Sequence, residues 1–184
     1  MKSLILTWEQ FQDHEVIYPF YRLKEEGKVD LLANKTDKIF GILGCNITPT
    51  GNLNDLKDGA KRKHYLESYH LLVIPGGVKA MEKIRQEKHV IDFIKEWGGA
   101  QKVIASTCSG AQLLISAKLV SGRVISGYYS MADDISNAGA TYVNQPAVVD
   151  NNIITSPHYD FMAEWLAAAI KVVQSRFLKP HNNG

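Results

Sequence analysis

The sequence predicts an α/β protein whose mostly parallel β-sheet is covered by helices on both faces. Short, largely apolar runs such as SLILT (3–7) and LLVI (71–74) indicate strands that are buried on both sides. These runs alternate with segments in which apolar residues recur at helical spacing, as in strand–helix–strand units. The 184 residues are 45% hydrophobic and 22% charged, an ordinary composition for one domain with a sizeable core.

The N-terminal part is predicted to hold two strands with a helix between them. After SLILT, a helix is expected over about 13–26, with Gly27 ending it. Pro19 lies inside this pattern and should kink or shorten the helix, because proline lacks an N–H and crowds the preceding turn. VDLLA (29–33) is the second predicted strand.

The middle of the chain holds two further buried strands, HLLVI before Pro75 and KVIAS (102–106). Residues 79–97 between them are predicted to be largely helical, and a glycine pair ends that segment. Residues 37–70 are mixed, with short strands and turns followed by the polar segment DLKDGAKRKHYLESY. Its part at 52–68 would border either a pocket or an interface, and the sequence does not choose between them.

The C-terminal part continues the alternation up to a polar tail. After a helix at 109–118, the expected elements are a strand at RVISG, a short helix near 131–138, strands around TYV and AVV, a final strand at IITS and a helix at 161–173. Without a recognisable linker, the whole chain, 1–184, is predicted to be one domain whose tail, about 178–184, is frayed.

The composition argues against several classes of protein. The net charge is +2 with scattered basic residues, so no nucleic-acid partner is expected. No apolar run approaches the roughly 20 residues that cross a bilayer, and the N-terminus does not resemble a signal peptide, so we expect a cytoplasmic protein without a membrane partner. Cys45 and Cys108 lack zinc-site spacing and are expected to be free thiols; no metal or cofactor is expected.

Cys108 is the leading candidate for a functional residue. In parallel sheets the site lies beyond the carboxyl ends of the strands, where the loops 7–15, 75–79, 106–110 and 156–160 should converge. Cys108 stands between a strand and a helix, as in a nucleophile elbow, and Gly110 allows close backbone approach. The helix N-terminus is expected to favour the reactive thiolate. The alternative is a buried cysteine acting as a small apolar residue.

A glycine pair follows the neighbouring strand. Gly76 and Gly77 leave backbone N–H groups free to approach a ligand, and with the Ser109 N–H they would form an oxyanion hole. The alternative is an ordinary tight turn.

A carboxyl group near the thiol would act as a proton donor or acceptor, or would hold an oxidised sulfur. Glu15 opens the first helix, where a carboxylate also favours the helix dipole without any catalytic role. Glu9, Asp13 and His14 are nearby rivals, and the pattern does not choose among the four.

Other side chains are weaker candidates. His158 follows the last strand and would serve as the base for a thiol, or would be an ordinary surface histidine. Tyr128 and Tyr129 would line the pocket or simply pack as aromatic residues. Cys45 is interpreted as structural, with an exposed, oxidisable thiol as the alternative.

Taken together, these motifs resemble the ThiJ/PfpI family, also called the DJ-one superfamily, which has a class I glutamine-amidotransferase-like fold. The resemblance runs nearly end to end and is carried by DHEVIYPFYRLKEEG, LLVIPGG, VIASTCSGAQLLISA and SGYYSMADDISNAGATYVNQPAVVDNNIITS, in this order and spacing. Within the family the chain is most similar to the PfpI-type branch of intracellular proteases and general stress proteins.

The resemblance implies a flavodoxin-like three-layer sandwich and a homo-oligomer, a dimer or larger, that takes a small-molecule substrate. It implies Cys108 as the nucleophile and Glu15, in preference to Glu9, as the neighbouring carboxyl group. In the family this glutamate is usually protonated and hydrogen-bonded to the sulfur. The oxyanion donors would be the glycine pair and the Ser109 N–H.

The chain departs from the PfpI pattern at several positions. Ser109 stands where those proteins carry the triad histidine, and either Met81 or Glu82 stands where a neighbouring subunit supplies the triad glutamate. Tyr128 falls where some relatives have histidine and others tyrosine, and Pro157 replaces an arginine. The protease triad is therefore broken in the sequence.

Three functions are compatible with these motifs. The first is a cysteine-dependent stress-response enzyme acting on small carbonyl or acyl compounds, similar to a glyoxalase or deglycase, or to an intracellular peptidase or amidase. The second is a non-enzymatic redox sensor whose Cys108 oxidises to the sulfinate. The third is a ligand-binding or scaffold protein with a relict pocket.

Overall fold

A computed structural model describes residues 1–177, so the tail expected at about 178–184 lies outside the described residues. The strands are β1 (Lys2–Leu6), β2 (Lys28–Ala33), β3 (Ile39–Phe40), β4 (Asn46–Ile47), β5 (Gly51–Asn52), β6 (Leu71–Ile74), β7 (Val103–Thr107), β8 (Val124–Ile125), β9 (Thr141–Tyr142), β10 (Val148–Asp150) and β11 (Ile153–Ser156). The α-helices are α1 (Asp13–Lys24), α2 (Gly59–Ser68), α3 (Val78–Arg85), α4 (Lys88–Gly99), α5 (Ala111–Ser116), α6 (Ala132–Asn137) and α7 (Met162–Phe177).

Seven of the strands form the central sheet, in the order β10-β11-β7-β6-β1-β2-β5. All neighbours are parallel except β10 and β11, which are antiparallel. α1 and α7 pack together on one face, whereas α3, α4 and α5 pack together on the other. The predicted α/β sandwich with helices on both faces, flavodoxin-like in architecture, is confirmed.

The core lies between the sheet and these two helical layers. Both faces of the central strands are apolar because both are covered, so β6 and β7 are buried along their whole length. The largest wholly buried side chains are Trp97, Trp165, Phe11 and Phe93. The strand register aligns Ile74 with Ser106 and Thr107 with Ser156, so the carboxyl ends of β6, β7 and β11 meet at one edge.

Several elements differ in detail from the sequence prediction. The helical segment expected at 79–97 is two helices, because the backbone turns at Gln86 and Glu87. The helix expected from 109 begins as a short 3-10 turn, Cys108–Gly110, before α5. α1 continues through Pro19 and ends at Lys24.

The ambiguous region at 37–70 resolves into short strands and a surface helix. β3 and β4 pair as an antiparallel hairpin, and β5 adds to the edge of the central sheet. A 3-10 turn, Leu53–Lys57, then leads to α2, which has no buried residue. Arg62 of α2 binds Glu96 of α4 at 2.6 Å. Part of the segment 52–68, which the sequence left between a pocket and an interface role, therefore lies against α4. No helix among residues 1–177 is long and apolar enough to cross a membrane.

Candidate active site

Cys108 occupies a strained turn at the end of β7. Its φ is +54°, in the left-handed region that a residue with a Cβ rarely adopts. The strand ends at Thr107 and the 3-10 turn begins at Cys108 itself, so the side chain leaves the sheet at its carboxyl edge. The thiol-bearing residue is half-buried, whereas the next two residues are buried. This is the geometry of a nucleophile elbow.

Two glycines let the surrounding backbone approach this turn. A Cβ on Gly110 would lie 2.6 Å from the carbonyl oxygen of Ile74 and 2.8 Å from that of Pro75, closer than real Cβ atoms come. A Cβ on Gly76 would overlap the Glu15 carboxyl group and lie 2.8 Å from Cβ of Cys108. The missing side chains therefore allow β6, the elbow and Glu15 to meet.

Glu15 is a wholly buried carboxyl group beside the thiol. It lies in the first turn of α1, and the Gly76 N–H donates to its Oε2 at 2.5 Å. Its Oε1 has no hydrogen-bond partner among the described residues. Burial raises the pKa of Glu15 from 4.5 to about 7, against the opposing effect of hydrogen bonds to Gly76 and Cys108. The side chain therefore titrates near neutral pH.

The Cys108 thiol is held protonated. Burial, followed by the negative charge of Glu15, raises its pKa from 9.0 to about 12, although the Ser109 N–H and hydroxyl partly oppose this. The raised pKa opposes the expectation that the helix N-terminus favours the thiolate, because burial and the charge of Glu15 outweigh the hydrogen bonds from Ser109. Between these two pKa values, Cys108 and Glu15 together hold one proton.

The structure separates Glu15 from its three rivals. Glu9 binds Lys35 at 2.9 Å, away from the sulfur. Asp13 is buried, but both of its oxygens accept backbone N–H groups of the β3–β4 hairpin, from Leu43 at 2.8 Å and Cys45 at 2.7 Å. His14 is exposed and stacks on Tyr159. Only Glu15 of these four contacts Cys108 in the described structure.

The oxyanion donors differ from the sequence prediction at one position. Gly76 was expected to offer its N–H to a ligand, but that N–H is occupied by Glu15. Gly77 has a φ of +103° and immediately precedes α3. The Ser109 N–H points to the Cys108 sulfur. Gly77 and Ser109 therefore remain as candidate donors.

Tyr128 and His158 lie around the elbow without forming a catalytic hydrogen bond to the sulfur in the described structure. The Tyr128 N–H donates to the carbonyl oxygen of Cys108 at 3.1 Å, and its hydroxyl donates to that of Tyr129 at 2.7 Å. His158 lies 3.0 Å from Asp160 through Nδ1. The expected role of His158 as the base therefore has no support from the observed contacts.

Aromatic side chains from the first turn of α1 and from two loops form a row beside the elbow, which we call the aromatic rim. Its members are His14, Tyr128, Tyr129, His158 and Tyr159. Four of these residues were singled out one by one from the sequence, whereas Tyr159 was missed. An aromatic residue directly after His158, in a loop at the carboxyl edge of the sheet, was the signal available for it.

Cys45 is exposed on the β3–β4 hairpin and is not part of this site. Its N–H is tied to Asp13, but its thiol matches the exposed alternative rather than a structural role. Among residues 1–177, no three or more His, Cys, Asp or Glu side chains are grouped as a metal site requires.

The fold and the site define a flavodoxin-like α/β protein with a cysteine at a strand–helix elbow and a buried carboxyl group beside it. The model of the DJ-1/PfpI family matches residues 1–172, and the chain belongs to this family. The resemblance inferred from the motifs is thereby confirmed.

Relatives of known name or structure agree with this assignment. A deglycase of Pyrococcus abyssi is 34% identical over 95% of this chain and 100% of its own. General stress protein 18 of Bacillus subtilis is 29% identical over 84% of this chain and 86% of its own. A two-domain protein of Anabaena variabilis, with DJ-1/ThiJ/PfpI-like and ferritin-like domains, superposes with a TM-score of 0.83 at 29% identity over 92% of this chain; the chain spans 47% of that protein.

Proposed function

We propose that the protein is a cysteine-dependent enzyme that acts on small carbonyl compounds, with Cys108 as the nucleophile and Glu15 as its proton partner. The observation that carries this proposal is the contact between a strained thiol and a buried carboxyl group whose pKa is raised to about 7. The deglycase name of a relative that is 34% identical supports the same class of substrate.

Glu15 acts as the general base for the thiol. A thiol with a pKa of about 12 is a poor nucleophile at neutral pH, so its proton must leave as the sulfur attacks. The carboxylate of Glu15 is in contact with the thiol, and its pKa near 7 suits proton transfer in both directions. No histidine is needed for this step, which is consistent with Ser109 standing where the PfpI branch carries histidine.

The chemistry balances for a 2-oxoaldehyde such as methylglyoxal. The Cys108 sulfur bonds to the aldehyde carbon, and the thiol proton passes through Glu15 to the resulting alkoxide. Glu15 then removes the proton from that carbon, the hydroxyl proton on the same carbon passes to the neighbouring keto oxygen, and a proton returns to the keto carbon. The product is a thioester of the 2-hydroxy acid. Water cleaves its C–S bond, releasing lactate and the thiol. One carbon is oxidised and its neighbour is reduced, so no external oxidant is required.

Backbone donors stabilise the charge that develops on the substrate oxygen. The N–H groups of Gly77 and Ser109 belong to two adjacent loops at the carboxyl edge of the sheet. A peptidase reaction would in addition need an acid for the leaving amine. Ser109, with a buried side chain, cannot supply an imidazole, and this favours carbonyl chemistry over amide hydrolysis.

The redox-sensor alternative rests on the same polar groups. A sulfinate at Cys108 would accept hydrogen bonds from a protonated Glu15 and from Ser109. The raised thiol pKa opposes this alternative, because the thiolate is the form that reacts with peroxide. Mass spectrometry after mild peroxide treatment decides: oxidation of Cys108 before the exposed Cys45 would favour the sensor, and the reverse order would exclude it.

Turnover tests the enzyme proposal. Wild type and Cys108→Ala are compared for formation of lactate from methylglyoxal and for hydrolysis of small amides. Cys45→Ser serves as the matched control, because it removes the other thiol of the chain. We expect lactate formation by wild type and by Cys45→Ser but not by Cys108→Ala. Equal rates in wild type and Cys108→Ala would exclude the proposed function.

A further inference from the structure

The aromatic rim exposes ring surface that the fold does not require. Tyr129 is 65% exposed, His14 is also exposed, and Tyr128, His158 and Tyr159 are half-buried. Exposed aromatic rings next to a reactive residue are suited to binding a ligand rather than to core packing. The rim therefore bears on which substrates reach Cys108.

Neighbouring rings in the row lie close together except at one place. The ring centroids are 4.8 Å apart for His14 and Tyr159, 3.8 Å for Tyr159 and His158, and 4.2 Å for Tyr128 and Tyr129. Between Tyr128 and His158 the distance is 6.1 Å, with ring planes inclined by only 24°. Two rings of similar orientation therefore border the widest interval in the row.

The distance between the Tyr128 and His158 ring centroids is slightly less than the separation that two rings need to hold a third ring between them. Carbon atoms in contact lie about 3.5 Å apart, so a ring placed between two others needs about 7 Å between them. Widening the interval by roughly 1 Å would admit such a ring, and Tyr128 and His158 both lie in loops rather than in regular elements. A ring that enters gains a stacking contact on each face.

The interval lies beside the nucleophile. Tyr128 donates its N–H to the carbonyl oxygen of Cys108, and His158 lies two residues after Ser156, which pairs with Thr107 in the sheet. The carboxylate of Asp160 is engaged by His158 at 3.0 Å, so it is already paired beside the interval. A neutral planar group suits these surroundings better than a charged one.

We propose that the enzyme prefers aryl 2-oxoaldehydes, whose aromatic ring enters between Tyr128 and His158 while the aldehyde reaches Cys108. This inference rests on the proposed function and adds the substrate class. With phenylglyoxal, the reaction described above consumes one water and yields mandelate, with the same internal transfer of oxidation state. His158 is then a specificity-determining residue and not the base.

The test compares phenylglyoxal with methylglyoxal in wild type and in His158→Leu, which replaces the ring with a flexible side chain. We expect the ratio of kcat/KM for phenylglyoxal to kcat/KM for methylglyoxal to be about tenfold higher in wild type than in His158→Leu. A change of this size is expected for the loss of aromatic stacking contacts. Tyr21→Leu, at an exposed tyrosine on α1, is the matched control and should keep the wild-type ratio. Binding of mandelate and of lactate to wild type and His158→Leu, measured by calorimetry, gives a readout that needs no turnover.

The outcomes separate the two proposals. Turnover of methylglyoxal with the same substrate ratio in wild type and His158→Leu would overturn the aryl preference and leave the proposed function standing. Absence of turnover with both aldehydes would overturn the proposed function. In that case the binding data still test the aryl site. The site is supported if mandelate binds more tightly than lactate to wild type but not to His158→Leu, and it is overturned if the two acids bind wild type equally.

Discussion

The Gly76 N–H donates to Oε2 of Glu15 at 2.5 Å and joins the end of one strand to the first turn of α1. This bond orients a buried carboxyl group toward Cys108, which a side chain at position 76 would obstruct. It also explains how a residue of α1 reaches a cysteine that follows β7. In the proposed reaction the elbow supplies the nucleophile, and the Gly76–Glu15 contact positions its base.

The pH dependence of activity follows from Glu15. Since its pKa is raised to about 7 and the carboxylate is the active form, kcat/KM should rise with pH up to about 7 and level off above it. Replacing Glu15 with glutamine removes the base, and kcat/KM should fall by about 100- to 10 000-fold with loss of the rise. A pH profile of methylglyoxal turnover measures both. A rise near pH 7 that persists in Glu15→Gln would assign that titration to another group.

The same pKa shift predicts a cost in stability. Glu15 binds its proton more tightly in the folded protein, with a pKa of about 7 against 4.5, so its own contribution to the free energy of unfolding is greatest below pH 4.5 and declines as the pH rises toward 7. The shift corresponds to about 3 kcal/mol. Glu15→Gln should therefore match wild type near pH 4 and be more stable by about that amount at pH 8. Urea unfolding at both pH values checks this, and a constant difference between the two proteins would contradict it.

Gly76 is predicted to tolerate no side chain. An added Cβ would overlap the Glu15 carboxyl group and crowd Cys108, so Gly76→Ala should lower kcat/KM by at least about 100-fold, as loss of a positioned base does. Gly59→Ala is the matched control, because a Cβ there meets nothing within 4 Å. Steady-state kinetics compares the two variants, and an equal fall in both would show that the close approach at Gly76 is not required.

Asp13 is predicted to be structural. Its carboxylate accepts the N–H groups of Leu43 and Cys45, so Asp13→Ala leaves two donors without their partner and should destabilise the protein by about 2–4 kcal/mol. Asp37→Ala, at an exposed position in the same part of the chain, should change stability by less than about 0.5 kcal/mol. Thermal unfolding compares the two variants. Equal stabilities would show that the hairpin does not depend on Asp13.

The strand pattern and the elbow could be predicted from the sequence because each depends on residues that are close together in the chain. A buried apolar run that stops at Cys108 and resumes at helical spacing specifies a strand–helix join by itself. The break between α3 and α4 could not be predicted, because a turn of only two residues leaves the helical spacing of apolar residues over 79–97 nearly unchanged.

The choice of proton partner depended on tertiary distances. Glu9, Asp13, His14 and Glu15 fall within seven consecutive positions, and periodicity alone cannot tell which of them meets a cysteine 93 residues after Glu15. The family resemblance favoured Glu15, and the structure shows the contact. The aromatic rim was missed as a unit for the same reason, because its members come from α1 and from two loops that lie far apart in the sequence.

The central claim, that Cys108 attacks the substrate, is tested most directly by rapid-quench peptide mass spectrometry of the Cys45→Ser variant mixed with methylglyoxal. Removing Cys45 leaves Cys108 as the single thiol of the chain. We expect the peptide containing Cys108 to gain the mass of one substrate molecule within the time of one turnover and to lose it as lactate appears. Formation of lactate with no adduct at Cys108, or at an unchanged rate after a further Cys108→Ser substitution, would contradict the claim.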